Sequence, residues 1–297
     1  PEIIEFLDRT SQLDRFNSEI CNWVTERDDS GELLRRLERD NLFLLSLDSR
    51  RSWFRYHNLF ADFLRTRLPR EQRGQINERA ASWFEAASMR EEAIRHALRA
   101  SRPERFMPLL VREAENLIWE GRPGGVLQLL DDLDPEFVAS DPRFFELLAW
   151  AFYLHHRPEE LASHLERLRP GEERPETLRS AGVAIVVALA GIAGTREVEP
   201  HREESPSTVL LVLRSMGRSI LALLRGEREA TLIEAQEAYN LCRHERDGFL
   251  PSCAAYNYGV ALLQNGDAPG AAAFLGRELE RTRTAPRRQR ESLAPLL

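Results

Sequence analysis

The sequence contains no lysine, so all 41 of its basic residues are arginine. A phosphate-binding Walker loop ends in a lysine, and Schiff-base catalysis needs a lysine amine, so the sequence excludes both. It also lacks the G-x-S-x-G and H-E-x-x-H motifs and any cysteine-rich cluster. We therefore expect a non-enzymatic chain with no catalytic residues, no metal site and no cofactor of its own.

Cysteine is scarce, and long apolar runs are missing. The three cysteines, Cys21, Cys242 and Cys253, are widely spaced and form no C-x-x-C pair, which is typical of reduced thiols in a cytosolic protein. The longest apolar run, residues 181–194, is too short to cross a bilayer, and no signal peptide precedes it. We expect a cytoplasmic location.

Charge is distributed unevenly along the chain. A net charge of −7 argues against nucleic-acid binding over the whole surface. Residues 30–68 depart from this average, with eight arginines against five acidic residues. Arg35, Arg36 and Arg39 are spaced to face outward from a predicted helix and could meet DNA phosphates. Three acidic residues share that helix, so direct DNA contact is the weaker alternative.

The most informative pattern lies between residues 30 and 68. Residues 42–47 and 53–56 are rich in the apolar and aromatic types found in strands, and a short polar segment separates them. Helical periodicity precedes this predicted hairpin from Ser30 and resumes after it at Leu59. The order of three helices, a hairpin and a helix is that of a winged-helix module.

The same pattern predicts which side chains form the core of this module. We expect the core to contain five of them: Trp53, Tyr56, Leu59, Phe60 and Phe63. A hairpin register shifted by one residue would instead place Phe54 inside.

The histidines have structural interpretations that outweigh chemical ones. His96 falls in an apolar helical pattern and is interpreted as a packed histidine with hydrogen-bonded nitrogens. His156, Glu160 and His164 are spaced by four, but Pro158 interrupts a shared helix and no fourth ligand is evident.

After Pro69 the pattern is helical throughout. Polar or glycine-bearing breaks recur at intervals of 32 to 40 residues, which is the range of two-helix repeats. They fall near Ser88, Gly121, Arg157, Gly194, Gly226 and Gly266. We therefore predict a mainly α fold, in which an N-terminal winged-helix module with one β-hairpin precedes a tetratricopeptide-like α-helical superhelix. The predicted domains are residues 1–69 and 70–297.

A stacked array of this kind presents a concave surface, where it usually binds its ligand. Our candidates for ligand binding are polar or aromatic residues in helices that precede a repeat turn: Tyr153, Arg214, Arg218, Tyr256 and Asn257. Packing between helices is an equally open interpretation of the two tyrosines.

Three blocks resemble the MalT-like branch of the ATP-binding LuxR-type transcriptional regulators. They are Leu33-Leu34-x-x-Leu37-x-x-x-Asn41-Leu42-Phe43, Trp53-Phe54-Arg55-Tyr56-His57-x-Leu59-Phe60-Ala61-Asp62-x-Leu64-Arg65, and Glu91-Glu92-Ala93-Ile94-x-His96-Ala97-Leu98. The resemblance is specific over residues 13–168 and architectural beyond them. The family usually has Gly where this chain has Ser88, and Pro where it has Arg90.

The resemblance implies a regulatory function. In that family a winged helix connects a nucleotide-binding domain to a helical-repeat sensor, so this chain would relay and sense the binding of a small-molecule inducer or protein effector. ATP would be bound by another domain of the same regulator, DNA by a C-terminal domain absent here, and activation would involve oligomerisation. The start at Pro1 and the apolar end suggest part of a longer protein. The alternative is a tetratricopeptide-type scaffold that binds a peptide or protein partner.

Overall fold

The computed structural model describes residues 2–40, 43–130, 133, 135–138, 140–167, 181–191, 206–244 and 248–283. The chain divides into two compact units, residues 1–109 and 110–297. The predicted domain division after residue 69 stays a prediction.

The first unit has the predicted order of three helices, a hairpin and a helix. Its elements are α1 (Glu2–Thr10), α2 (Ser18–Thr25), α3 (Ser30–Arg39), β1 (Leu44–Ser46), β2 (Phe54–Tyr56), α4 (Asn58–Arg65), α5 (Arg70–Ala86), α6 (Arg90–Ala97), a 3₁₀ helix (Pro103–Phe106) and the start of α7 (Met107–Trp119). The fold is mainly α with an N-terminal winged helix, as predicted.

The hairpin is antiparallel, with Leu44 opposite Tyr56 in its register. Phe16 extends the sheet on the other side of β2, because it exchanges two backbone hydrogen bonds of 2.8 and 2.7 Å with Phe54. The carboxylate of Asp48 accepts backbone N–H groups from the far side of the turn and so closes it. The backbone hydrogen bonds between Phe16 and Phe54 attach the hairpin to the loop between α1 and α2.

The predicted core needs correction in the hairpin. Phe54 and Tyr56 are both buried, whereas Trp53 is half-buried. Successive side chains of a strand point to opposite faces, so Phe54 and Tyr56 can share the inner face and Trp53 cannot. Tyr56 was predicted correctly, and Phe54 takes the place assigned to Trp53.

The predicted core is also wrong in α4. Leu59 is 77% exposed and Phe63 is 58% exposed, while Phe60 is half-buried. The helix buries Ala61 and Leu64 instead, which lie on its opposite side. The apolar period was read correctly, but the helix is rotated so that Ala61 and Leu64, rather than Leu59 and Phe63, meet the core.

The second unit consists of helices among the described residues. They are the rest of α7, α8 (Pro123–Leu130), α9 (Pro135–Val138), α10 (Pro142–Leu154), α11 (Pro158–Arg167), α12 (Ala181–Leu189), α13 (Thr208–Arg225), α14 (Arg228–Cys242), α15 (Phe249–Gln264) and α16 (Ala268–Arg283). Helices α13 to α16 each pack against the next in sequence, and α10 packs against α8, α11 and α12. Within the described ranges, no helix is long and apolar enough to span a bilayer.

A residue with left-handed backbone recurs at the ends of successive helices. These residues are Ser88, Gly121, His156, Gly191, Gly226 and Gly266, separated by 33, 35, 35, 35 and 40 residues. Glycine suits such positions because it has no Cβ to clash with the backbone. The predicted breaks fall at these residues or next to them, except that the break predicted at Gly194 lies outside the described residues. The period fits two-helix repeats, whereas the tetratricopeptide-like superhelix stays a prediction.

Candidate functional site

A buried ion pair joins two helices of the second unit. In α13, Arg214 donates from Nε and Nη2 to the two carboxylate oxygens of Glu146 in α10, at 2.8 and 2.6 Å. Both residues are buried, and such two-pronged contacts are among the stronger hydrogen-bonded pairs. Gly182 of α12 lies so close that a Cβ there would collide with the carboxylate. The pair is therefore packed among three helices.

Arg214 was predicted to bind ligand, and the structure gives its guanidinium an internal partner. A ligand that engaged this guanidinium would have to compete with Glu146, which would then be left as a buried charge. The ligand role of Arg214 stays a prediction, and the ion pair gives it a structural role.

Tyr153 lies beside a second buried feature, the indole of Trp150. The two rings are edge to face with centroids 6.0 Å apart, and burial raises the pKa of Tyr153. A Cβ at Gly217 of α13 would lie 2.7 Å from the Trp150 ring, so the indole packs tightly against that helix. Its buried Nε1 has no hydrogen-bond partner in the described part of the chain. Tyr153 thus makes packing contacts, as expected from the alternative interpretation that it packs between helices rather than binding a ligand.

The remaining candidates differ in exposure. Arg218 lies one turn beyond Arg214 and pairs with Glu234 of α14 at 2.8 Å. Tyr256 of α15 is 52% exposed, and the neighbouring Asn257 is half-buried with a buried, unpartnered Oδ1. Across the described residues, no hydrogen bond or ion pair joins these two to the other three candidates. α10 and α13 meet through the Glu146–Arg214 ion pair and where Trp150 approaches Gly217.

Sequence reasoning missed Glu146 and Trp150. A signal was available, since Glu146 is the single acidic residue in the otherwise apolar run from Phe144 to Phe152. A charged residue in such a run is rarely buried without a partner. The distant Arg214 could not have been identified as that partner from spacing alone.

In the first unit, one carboxylate connects the winged helix to the hairpin formed by α5 and α6. Asp14 pairs with Arg65 of α4 at 3.2 Å, with Arg95 of α6 at 3.1 Å and with Arg99 at 3.6 Å. Burial works to raise the pKa of Asp14, but the hydrogen bond from Arg95 and the charge of Arg99 outweigh it and lower the pKa. Asp14 therefore stays ionised and binds arginines from both sides of the predicted domain boundary.

A second contact crosses the same boundary. Arg15 pairs with Glu92 of α6, and its guanidinium lies 5.2 Å from the centroid of the Trp53 ring. Trp53 in turn meets Trp83 of α5 edge to face, with centroids 6.4 Å apart. Trp53 is therefore directed toward the helical hairpin rather than into the winged-helix core.

The packed-histidine prediction is confirmed for His96. It is 1% exposed, its Nδ1 lies 2.7 Å from Oδ1 of Asn77, and its ring stacks on Phe84. Burial lowers the pKa of His96 to about 4; the charge of Asp14 opposes this shift. At neutral pH the ring is uncharged.

The structure gives two of the residues considered as metal ligands, Glu160 and His164, partners within the protein. Glu160 pairs with Arg157, and the ring of His164 packs against Phe152 at 5.3 Å. Within the described ranges, no group of three residues has a geometry that could hold a metal ion. The α3 arginines are exposed, and DNA contact by them stays a prediction.

Comparison with known proteins identifies the N-terminal region. Residues 1–76 match the family model of the MalT winged helix domain. The chain is MalT-like. It is 30% identical to the transcriptional regulator MalT of Serratia proteamaculans over 91% of this chain and 31% of that protein. No solved structure matches at significant similarity.

Two shorter matches define how far this likeness extends. MalT of Vibrio parahaemolyticus is 30% identical over 56% of this chain and 19% of the relative. The serine/threonine-protein kinase PknK of Mycobacterium tuberculosis is 30% identical over 59% of this chain and 16% of the kinase. The chain therefore spans less than a third of the length of each of these relatives. The relatives of this chain therefore include a transcriptional regulator and a protein kinase.

Proposed function

We propose that this chain is the relay and sensing part of an ATP-dependent, LuxR-type transcriptional activator. The supporting observation is the MalT winged-helix match at residues 1–76, which the Serratia relative extends over 91% of the chain. In this proposal ATP and DNA bind to other domains of the same cytoplasmic polypeptide. The chain itself catalyses no reaction and serves regulation, with activation accompanied by oligomerisation.

The sensing step requires two states with different affinity for the effector. We assign effector binding, whether of a small inducer or a protein, to the surface near Tyr153, Arg218, Tyr256 and Asn257. Arg214 would act from beneath that surface by holding Glu146, and α10 with it, in one arrangement. An effector that favours one state by about 1–3 kcal/mol would produce an allosteric response of ordinary size.

The relay step would use the contacts that cross residue 69. Asp14 and Arg15 bind residues of α6, and Trp53 meets α5, so a displacement of this helical hairpin would also displace the wing. Coupling through packed and ion-paired contacts needs a two-state element that both sites bias. We assign that role to the hairpin formed by α5 and α6.

The test is a reporter assay with the intact gene product and a titrated effector. Arg218→Ala and Tyr256→Ala should each raise the effector concentration for half-maximal transcription about tenfold, equivalent to roughly 1.4 kcal/mol. The matched controls are Arg225→Ala in α13 and Leu263→Ala in α15, both exposed in the same helices. If all four variants respond alike, the sensing site is assigned wrongly; if transcription never depends on the protein, the proposed function is wrong.

The second candidate is a repeat scaffold that binds a peptide or protein partner. It is favoured by a shallow groove of about 370 Å³ along α14, lined by Ile233, Gln236, Glu237, Asn240 and Leu241. The resemblance to the kinase PknK also fits a segment that occurs in proteins other than transcriptional regulators. Binding of a partner that changes no promoter activity in the reporter assay would favour this candidate.

A further inference from the structure

A group of large apolar side chains is exposed on the winged helix. We call it the wing patch and define it by Phe43, Leu45, Leu47, Leu59 and Phe63, with the half-buried Phe60 beneath them. Phe43, on the hairpin side, is 58% exposed, which is high for an aromatic ring. Contiguous exposed apolar surface on a folded protein typically marks an interaction site.

The two halves of the wing patch are in contact. The Phe43 ring stacks on Phe60 of α4, with centroids 4.9 Å apart and planes at 29°. The Phe43 carbonyl also accepts the backbone N–H of His57, just before α4, at 2.9 Å. The hairpin and the helix therefore contribute to one surface rather than to two separate ones.

The outer face of the hairpin departs from the pattern expected of a solvent-exposed sheet. An antiparallel sheet with one buried face normally carries polar residues on the other. Here Phe43, Leu45 and Leu47 alternate along the exposed face, whereas Phe54 and Tyr56 occupy the buried one. Phe43 also has a φ of 53°, a left-handed conformation that is rare for a bulky residue. Such strain is concentrated at functional surfaces.

Two arginines flank the wing patch. Arg55 lies opposite Leu45 in the hairpin register, is exposed, and makes no ion pair within the described ranges. The Arg67 guanidinium lies 5.8 Å from the centroid of the Phe63 ring and is shared with Asp8. Asp62, the acidic residue nearest to Phe63 in sequence, pairs with Arg65. An incoming partner would meet apolar side chains flanked by arginines.

We propose that the wing patch docks a helix of a protein partner, with an apolar stripe flanked by aspartate or glutamate. Leu and Phe side chains of such a stripe would pack against the exposed side chains of the hairpin and α4, and its acids would reach Arg55 and Arg67. A second copy fits less well, because a two-fold contact through the same patch would bring arginines toward arginines. This inference does not depend on the proposed sensing site.

The experiment uses two synthetic 18-residue helical peptides with the same leucine stripe, one flanked by glutamate and one by lysine. The chain should bind the glutamate peptide, with an affinity that falls as salt is added. Phe63→Asp and Leu59→Ser should each weaken binding at least tenfold in a calorimetric titration. Both residues are exposed, so the variants should keep their circular dichroism spectrum and melting temperature. Leu263→Ser, on an exposed site of α15, is the matched control and should bind normally.

Two results would overturn the proposal. Equal binding of the lysine peptide, or normal binding by both patch variants, would show that the patch does not select an acidic helix. A concentration-dependent dimer in analytical ultracentrifugation that Phe63→Asp abolishes would show that a second copy covers the patch instead.

Discussion

At the scale of single residues, burial in the winged helix follows side-chain direction more than hydrophobicity. Phe54 is buried and Leu59 is exposed, although both are large and apolar and lie five positions apart. The strand directs Phe54 toward Phe16 and the core, while α4 directs Leu59 outward and Leu64 inward. The energetic effect of truncating each residue should differ accordingly.

Phe54→Ala should destabilise the first unit by about 3–5 kcal/mol, the usual cost of removing a buried aromatic side chain. Leu59→Ala should change the free energy of unfolding by no more than about 0.5 kcal/mol, because its side chain is already in water. Urea unfolding of both variants measures this difference. A loss of similar size at Leu59 would mean that α4 is rotated relative to the structure.

His96 predicts a pH dependence of stability. Its pKa of about 4 in the folded state lies below the ordinary value of 6.5. The unfolded chain therefore binds a proton more readily, so this residue favours folding above pH 6.5 and that contribution is lost as the pH falls toward 4. The full difference is roughly 3 kcal/mol. Asp14 opposes the shift, whereas Arg65, Arg95 and Arg99 reinforce it.

The measurement is the free energy of unfolding between pH 7 and pH 4 for the parent and for His96→Gln, which has no ionisable side chain. The variant should be less stable at pH 7 but lose less stability on acidification. Leu263→Ala, at an exposed position without an ionisable side chain, should retain the parental pH dependence. If the free energy of unfolding of His96→Gln falls with decreasing pH as steeply as that of the parent, groups other than His96 cause the pH dependence.

At the scale of elements, α10 and α13 of the second unit meet through two buried contacts. Glu146 and Arg214 supply the polar contact, and Trp150 against Gly217 supplies the apolar one. A buried ion pair contributes little net stability over an apolar replacement, but removing one member of such a pair is costly because the other charge stays buried. Its value in this fold is therefore to fix how the two helices pair.

Arg214→Met should destabilise the second unit by about 3–5 kcal/mol, because the Glu146 carboxylate would remain buried. The double variant with Glu146→Leu should recover most of that loss, since neither charge is then buried. Chemical denaturation of the two single variants and the double variant completes the comparison. Additive losses would indicate that the two side chains are not coupled.

At the scale of the whole molecule, two features of composition and period stand out. The left-handed turn residues recur about every 35 residues from Ser88 to Gly266, a period that fits two-helix repeats. Every cation is an arginine, which can hold several carboxylates but cannot act as a neutral amine. Both features are compatible with the proposed relay and sensing function.

This composition predicts that the chain has no saturable affinity for ATP. It has neither the lysine nor the glycine-rich loop that holds nucleotide phosphates. Calorimetric titration of ATP into the chain should give only heats of dilution, and the same titration into the intact gene product should show binding. Saturable binding to this chain would overturn the prediction.

The sequence by itself determined the helical class, the winged helix, the hairpin and the turn positions. These features depend on local periodicity, strand propensity and the positions of glycines, all of which can be read from residues close together in the sequence. The tertiary structure decided which side of α4 faces inward, where Trp53 points, and that Glu146 and Arg214 meet. Those outcomes depend on contacts between residues far apart in the chain, such as the 68 positions that separate the ion pair. Periodicity places a residue on a face, but packing decides what that face meets.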